Sequence, residues 1–369
     1  MMFKSEYNQT SRSSPKRLLR GRFARFLGDF TAGGTYPRCR HGNISLWETS
    51  QDNRRISSRT QAEYQPRASL TAIQLAVNEV FDRFRARNWC AWVAGGTLRD
   101  LVLEPSGAEC CYTIPRDIDV MIGDASSHDL ANCLSDLIAR RTRFGGLHLV
   151  KKVARVCEIH FDVWPLADTW AFKAQGIKPE ISRFPSTPFL NLDAVAIELY
   201  PRANQPRAIY ERGFYQGIST RVIDINYEPN PSPDVCIARA LIMAAKLQFA
   251  LSRRLAHFIC SWTSRQQDAL AALGHAQLTH YGQMRCSADE LHSWLSSIQQ
   301  QVSAGSDRIE IRVSHARQLG LWEDYPPLQK AWYTDRAGGD SDTPNLTRVP
   351  RRSQADDTPA RNLLLPPQL

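Results

Sequence analysis

The sequence predicts an α+β protein in which a domain of mixed strands and helices precedes an all-helical domain. Between residues 70 and 225, apolar residues recur first at helical spacing and then in short runs of strand length, separated by glycine, proline and polar residues. From Pro233 onward the apolar residues recur at helical spacing. Both ends of the chain lack a sustained apolar period, which is typical of disorder. The expected units are a basic disordered arm (1–66), an α+β domain (67–230), a helical domain (231–333) and a disordered tail (334–369). Within the arm, a short basic amphipathic helix over Leu18–Phe30 is the alternative to disorder.

Nearly all of the excess positive charge lies in the N-terminal arm. The 369 residues carry a net charge of +9, and the first 67 hold 13 Lys and Arg against five Asp and Glu. A basic arm can contact nucleic acid or a membrane surface, or act as a targeting segment. No apolar run reaches the roughly 20 residues of a membrane-spanning helix. The nine cysteines lack zinc-finger spacing. We expect a cytoplasmic protein, with a targeted or secreted effector as the alternative.

A candidate site begins in the stretch from residue 89 to residue 122. A short apolar run ends in Gly95-Gly96, and a second apolar run carries Asp117 and Asp119. A glycine pair between a strand and a helix can present backbone N–H groups to a phosphate. Two carboxylates at positions i and i+2 of a strand point to the same face and can share a divalent cation. Together they indicate metal-dependent chemistry on a nucleoside triphosphate.

A third carboxylate is expected from a later strand. Asp162 lies between Phe161 and Val163, so on a strand it faces away from both apolar neighbours. His160 is expected to face another way and to have only a structural role. Three basic residues in the preceding hairpin can meet the triphosphate or the acceptor, or can lie on a solvated strand face: Lys151, Lys152 and Arg155.

The order of these motifs resembles that of the DNA polymerase beta superfamily of nucleotidyltransferases. It is most similar to the head domain of bacterial poly(A) polymerases and CCA-adding enzymes, in which a GG-x-x-RD segment precedes the metal-binding D-x-D pair. Here that segment includes Arg99 and Asp100. Two later stretches, Ile209–Ile225 and Arg239–Phe249, resemble the end of the head domain and the start of the helical neck. The resemblance covers about residues 70–250.

This resemblance implies the transfer of a nucleoside monophosphate from an NTP to an acceptor hydroxyl, most simply an RNA 3′ end. It implies two Mg²⁺ ions, with Mn²⁺ as an alternative, held by Asp117, Asp119 and Asp162, the last on the acceptor side. The implied nucleotide-binding residues are Gly95, Gly96, Arg99, Asp100 and Arg239. For Arg99 the alternative is an ion pair with Asp100 or another acid, and for Arg239 it is a structural ion pair on the neck helix.

Departures from the family pattern leave the substrate open. The segment Pro188–Ala194 lacks the Arg and Asp of the family's RD-F-T-x-N-A element, and Cys236 and Ile242 stand where neck arginines are expected. The element that selects the incoming base in CCA-adding enzymes is not found. Two alternatives therefore stand beside the RNA hypothesis: a transferase that modifies a protein or small molecule, and a non-catalytic nucleotide- or RNA-binding remnant. The sequence predicts neither the base nor the oligomeric state.

Overall fold

A mixed seven-stranded sheet forms the centre of the first part of the chain in the computed structural model. The structure describes residues 14–28, 58–103, 117–142, 145–153, 157–201, 205–314, 317–318 and 321, with backbone alone over 58–71. The strands are β1 (Ala91–Ala94), β2 (Ile118–Ile122), β3 (Ile138–Arg141), β4 (Leu147–Val153), β5 (Cys157–Pro165), β6 (Val195–Glu198) and β7 (Ile209–Glu211). Their order is β3-β4-β5-β2-β1-β6-β7. Strands β2 and β5 pair in parallel, and the other neighbours pair antiparallel.

Six helices of the described residues accompany this sheet. They are α1 (Pro15–Phe26), α2 (Ser58–Ala86), α3 (Gly96–Leu103), α4 (Ser127–Cys133), α5 (Trp170–Gln175) and α6 (Phe214–Thr220). Helix α2 covers one face of the sheet, where the rings of Phe81 and Phe161 meet edge to face at 6.0 Å. Phe161 and its neighbour Val163 are fully buried, because alternate residues of β5 point into this core. The predicted α+β class is confirmed.

The second part of the chain is mainly helical, as predicted, but it also contributes to a small sheet. Its helices are α7 (Pro233–Leu247), α8 (Arg253–Thr263), α9 (Ala269–Tyr281) and α10 (Ala288–Ser303), and the strands are β8 (Val222–Ile223), β9 (Ala250–Ser252) and β10 (Arg308–Ile309). Strand β8 pairs in parallel with β9, and β10 pairs antiparallel with β9. An all-α second domain is therefore wrong in detail, because β9 and β10 extend a sheet that begins before the expected boundary at residue 230. Among the described helices, none offers an apolar stretch that could cross a membrane.

The N-terminal arm is not disordered throughout. Helix α1 buries Leu19 and Phe23 completely, and Arg22 donates to the carbonyl oxygens of Leu101 and Val102 at 2.7 and 2.9 Å. The prediction of disorder is wrong for this segment because its apolar residues recur at helical spacing and form one narrow buried stripe among many arginines. Helix α2 also begins before residue 67. The remaining parts of the arm, 1–13 and 29–57, and the predicted tail at 334–369 lie outside the described residues.

Loss of the α1 anchor should destabilise the whole fold. We expect Phe23→Ala to lower the free energy of unfolding by about 3–5 kcal/mol, because a fully buried aromatic side chain is removed and a cavity remains. Urea denaturation followed by circular dichroism measures this change. Lys16→Ala, at an exposed position of the same helix, should shift the midpoint little. Equal stability of both variants would show that α1 does not contribute to the core.

Candidate active site

Three carboxylates meet at the parallel pair of strands β2 and β5. Asp119 and Asp162 are register neighbours on these strands, and Asp117 lies two residues before Asp119. Ile118 and Val120, which alternate with the two aspartates, are fully buried on the opposite side. All three carboxylates line one cleft of about 210 Å³. The structure thus brings together the acidic residues that the sequence singled out.

The carboxylates repel one another within this cleft. Burial raises the pKa of Asp119 well above its usual range, and the negative charges of Asp117 and Asp162 raise it further. Arg239 opposes this shift but does not cancel it. Ionisation of all three carboxylates is therefore unfavourable, and a bound cation would offset their repulsion.

The donor set suits Mg²⁺, although the side chains do not converge on a single point. Among the described residues, no three Asp, Glu, His or Cys side chains are arranged as a ready metal site. Mg²⁺ usually takes one or two carboxylates and completes its shell with water and substrate phosphates. The residues present therefore fit a divalent cation that binds together with a nucleotide.

The glycine turn lies directly beside Asp119. Gly95 has φ = +63°, a left-handed conformation that favours glycine, and a Cβ there would lie 3.1 Å from Asp119 Oδ2. The Gly95 N–H donates to the Val195 carbonyl oxygen at 3.1 Å, so it is not available to a phosphate. The expectation that both glycines present their N–H groups to the triphosphate is therefore not supported for Gly95. Gly96 opens α3 and lines the cleft. In this first turn the Leu98 N–H donates to the Gly95 carbonyl oxygen at 3.1 Å, which leaves the N–H groups of Gly96 and Thr97 for an anion.

The two arginines assigned to nucleotide binding form an ion network around Asp193. Arg99 Nη1 lies 2.8 Å from Asp193 Oδ1, Arg239 Nη2 lies 2.8 Å from Asp193 Oδ2, and Arg99 Nε lies 2.9 Å from Asp100 Oδ1. Asp193 is only 7% exposed, and its charge is the main cause of the raised pKa of Arg239. These contacts agree with the structural alternatives for Arg99 and Arg239, which still line the cleft with Asp100.

Asp193 was missed by the sequence reasoning. It lies in the segment noted for lacking the family's Arg and Asp, between the buried residues Leu192 and Ala194. The signal in the sequence is a single acidic residue inside an apolar run, because a carboxylate buried there needs a cationic partner. Its two partners are distant in sequence and could not be identified from spacing.

The lysines of the β4–β5 hairpin do not reach the cleft. Lys151 Nζ lies 2.6 Å from Glu79 Oε1, and Lys152 Nζ lies 3.7 Å from Glu158 Oε1. The expectation of a contact with the triphosphate is not supported for either, because their side chains pair with acids on α2 and β5. Arg155 lies outside the described residues.

Two histidines, His148 and His160, lie beside Asp162. His148 Nδ1 lies 2.7 Å from Asp162 Oδ1, and His148 Nε2 lies 3.2 Å from His160 Nδ1. The expectation that His160 faces away from Asp162 is wrong, because residues at i and i+2 of a strand share one face. That spacing was the signal in the sequence.

The helical part supplies the opposite wall of the cleft. Its apolar contribution is Ile242, Met243, Leu247 and Leu321, and its polar contribution is Lys246, His280, Tyr281 and Arg285. The guanidinium carbon of Arg285 lies 5.5 Å from the centre of the Tyr281 ring, within the range of a cation–π contact. No sequence motif marked these residues, which come from two helices and the segments that follow α9 and α10. The cleft therefore has an acidic wall and a wall that is basic and aromatic.

Solved structures similar to this chain come from tRNA-processing enzymes. A tRNA-processing enzyme with CTP matches at 16% identity and a TM-score of 0.39, over 60% of this chain and 57% of that one. A tRNA nucleotidyltransferase with a primer tRNA and an ATP analogue matches at 17% and 0.35, over 69% and 60%. The CCA-adding enzyme of Thermotoga maritima complexed with tRNA matches at 14% and 0.36, over 72% and 65%. The chain spans less than two thirds of the length of these three proteins.

No protein-family model matches the chain, and no curated protein matches it. The solved structures are of the same kind of protein as the one that the motifs resemble, at sequence identities below 20% and TM-scores below 0.4.

Proposed function

We propose that the protein is a divalent-metal-dependent nucleotidyltransferase that moves a nucleoside monophosphate from an NTP to the 3′ hydroxyl of an RNA. The observation that carries this proposal is the register pairing of Asp119 with Asp162, with Asp117 and the start of α3 at the same cleft. Carboxylates beside an anion-binding helix end are suited to a magnesium–triphosphate complex.

The transfer needs little covalent chemistry from the protein. The acceptor oxygen attacks the α-phosphorus, the bond to pyrophosphate breaks, and the proton of the hydroxyl leaves to a base. Asp162 takes the acceptor side of the site and accepts this proton, directly or through water. The first turn of α3, beginning at Gly96, holds the phosphates by its N–H groups.

Asp117 and Asp119 would hold the divalent ions together with Asp162. Bound there, Mg²⁺ supplies neutralisation of the charge that develops on the attacking and leaving oxygens. Burial, and then the charges of Asp117 and Asp162, raise the pKa of Asp119, and a cation bound among these carboxylates would offset both effects.

The wall opposite the carboxylates would hold the nucleotide's base and outer phosphates. Tyr281, whose ring contacts Arg285, supplies aromatic surface to this wall, and Lys246 and Arg285 supply positive charge. This use of the helical part replaces the family's base-selecting element, which the sequence lacks.

Arg285→Ala should raise KM for the NTP by about tenfold with a smaller change in kcat. Loss of a charged hydrogen-bond donor to phosphate removes about 1.5–3 kcal/mol, and this contact is made in the ground state as well as in the transition state. Steady-state kinetics at saturating acceptor measure both constants. Lys151→Ala is the matched control, because Lys151 pairs with Glu79 outside the cleft, and its constants should not change. An unchanged KM in Arg285→Ala would exclude this wall from nucleotide binding.

The acceptor is tested by a labelling experiment. The purified protein is incubated with Mg²⁺, each α-labelled NTP separately, and total RNA or lysate protein. Label in RNA supports the proposal, and the basic charge of the N-terminal region agrees with such a partner. Label in protein would identify a protein-modifying transferase instead. The absence of label with every NTP, at the same level as an Asp117→Ala/Asp119→Ala control, would reject enzymatic function.

A further inference from the structure

A chain of two hydrogen bonds runs from His160 through His148 to Asp162. His148 on β4 lies directly opposite Asp162 on β5 in the antiparallel register, and its Nδ1 lies 2.7 Å from Asp162 Oδ1. His160 Nδ1 lies 3.2 Å from His148 Nε2, with the two rings 5.3 Å apart. Cross-strand pairing and two-residue alternation explain why all three side chains meet on one face.

The chemistry of the three groups orients these bonds. An ionised carboxylate only accepts hydrogen bonds, so His148 Nδ1 must carry the proton that faces Asp162. In neutral His148 the Nε2 atom is then an acceptor, and it receives the Nδ1–H of His160.

The first bond restricts the orientation of Asp162. His148 is only 16% exposed at its side chain, whereas Asp162 is 32% exposed and lines the cleft. With Oδ1 held by the partly buried imidazole, the carboxylate cannot rotate freely, and Oδ2 receives no hydrogen bond from the described residues. A carboxylate fixed in this way presents one oxygen to the cleft at a lower entropic cost on binding.

We propose that His148 is a positioning residue that orients the acceptor-side carboxylate Asp162, with His160 holding His148 in the required tautomer. This inference rests on the proposed nucleotidyltransferase function and names an additional residue for it. His148 touches neither the nucleotide nor the acceptor in this role. It acts through the hydrogen bond to Asp162.

Two polar substitutions test the bond itself. In His148→Asn the side-chain nitrogen takes the place of Nδ1 and can still donate to Asp162, whereas in His148→Gln the nitrogen lies nearer the place of Nε2. We expect His148→Gln to lower kcat about 10–100-fold, the usual effect of removing a partner of a metal ligand, with KM for the NTP nearly unchanged. His148→Asn should keep most of the activity. His292→Gln, at an exposed position on α10, is the control and should match the wild type.

Metal binding gives a readout that does not depend on turnover. The affinity for Mn²⁺ in the presence of a non-hydrolysable ATP analogue is measured by electron paramagnetic resonance of the free ion. We expect about tenfold weaker binding in His148→Gln and near wild-type binding in His148→Asn. In an Asp162→Asn background, His148→Gln should cause no further loss, because coupled residues are not additive. Thermal unfolding midpoints of all variants are compared to detect misfolding.

The outcomes separate this inference from the proposed function. If His148→Gln matches the wild type in kcat and Mn²⁺ affinity, or if His148→Asn loses as much as His148→Gln, the positioning role is rejected while the transferase stands. If the wild type transfers no nucleotide but its Mn²⁺ affinity depends on His148, the transferase is rejected and the positioning of Asp162 is retained. If the wild type neither transfers nucleotide nor binds Mn²⁺, both are rejected.

Discussion

Asp119→Asn should abolish nucleotide transfer while leaving the protein at least as stable as the wild type. Removing a central carboxylate costs several kcal/mol of transition-state stabilisation, which corresponds to a loss of kcat of about 10³-fold or more. Label incorporation under single-turnover conditions measures this loss. The matched control is Asp124→Asn, an exposed carboxylate just beyond the same strand, which should retain full activity.

The stability of the same variant follows from the pKa of Asp119. Because its pKa is raised in the folded protein, the folded state binds this proton more tightly than the unfolded chain does. The resulting stabilisation is present at low pH and is lost as the pH rises through the folded-state pKa. At neutral pH the Asp119 carboxyl group therefore opposes folding, and an uncharged Asn removes that penalty.

Thermal unfolding in metal-free buffer tests this expectation. The midpoint of Asp119→Asn should equal or exceed that of the wild type at pH 7, and the difference should shrink toward acid pH. Added Mg²⁺ with a non-hydrolysable NTP should raise the wild-type midpoint, because the ligand binds only the folded protein. It should not raise the midpoint of the variant, which lacks one of the carboxylates proposed to hold the metal. A variant that is less stable than the wild type at pH 7 would contradict the charge argument.

Asp193→Ala should destabilise the protein by about 3–5 kcal/mol. Asp193 is buried between Arg99 and Arg239, at 2.8 Å from each, and its removal leaves two guanidinium groups without their shared anion. Breaking a buried ion pair from one side has this order of cost. Urea denaturation gives the free energy of unfolding. Asp193→Asn, which keeps the size and removes the charge, should show most of the same loss.

The control for this prediction is an exposed ion pair in the same molecule. Asp307, whose side chain is 89% exposed, lies 3.5 Å from Arg253, and such surface pairs contribute about 0–1 kcal/mol. Asp307→Ala should therefore change stability little. If Asp193→Ala proves as mild as Asp307→Ala, the network does not hold α3 to α7.

The carboxylate face of the site could be predicted because it depends on alternation within strands. Asp117 and Asp119 differ by two positions, and Asp162 lies between two apolar residues, so strand geometry alone determines their directions. The same rule also placed His160 beside Asp162, and applying it to His160 would have revealed the histidine pair. This part of the site can therefore be predicted from residues that are close together in the sequence.

The remainder depended on contacts between distant segments. The partners of Asp193 come from α3 and α7, and the basic and aromatic wall comes from helices that carry no motif. Strands β9 and β10 have only three and two residues, too few for a period to be recognised. Helix α1 (Pro15–Phe26) overlaps the amphipathic helix given as the alternative to disorder over Leu18–Phe30. Its burial could not be predicted, because Leu19 and Phe23 pack against distant parts of the chain.

The single parallel pair of the described main sheet, β2 with β5, has a consequence for how the protein folds. An antiparallel pair with a short connection, such as β4 and β5, can form early. A parallel pair must wait until the whole crossover, here containing α4, β3 and β4, has been brought into place. Contacts of such long sequence separation form slowly, since the entropy of closing the loop is lost before the contact is gained. A chain still being synthesised carries Asp117 and Asp119 long before Asp162 joins them. Molecules in which β5 has not yet joined β2 therefore lack the third carboxylate, the proposed acceptor side of the site.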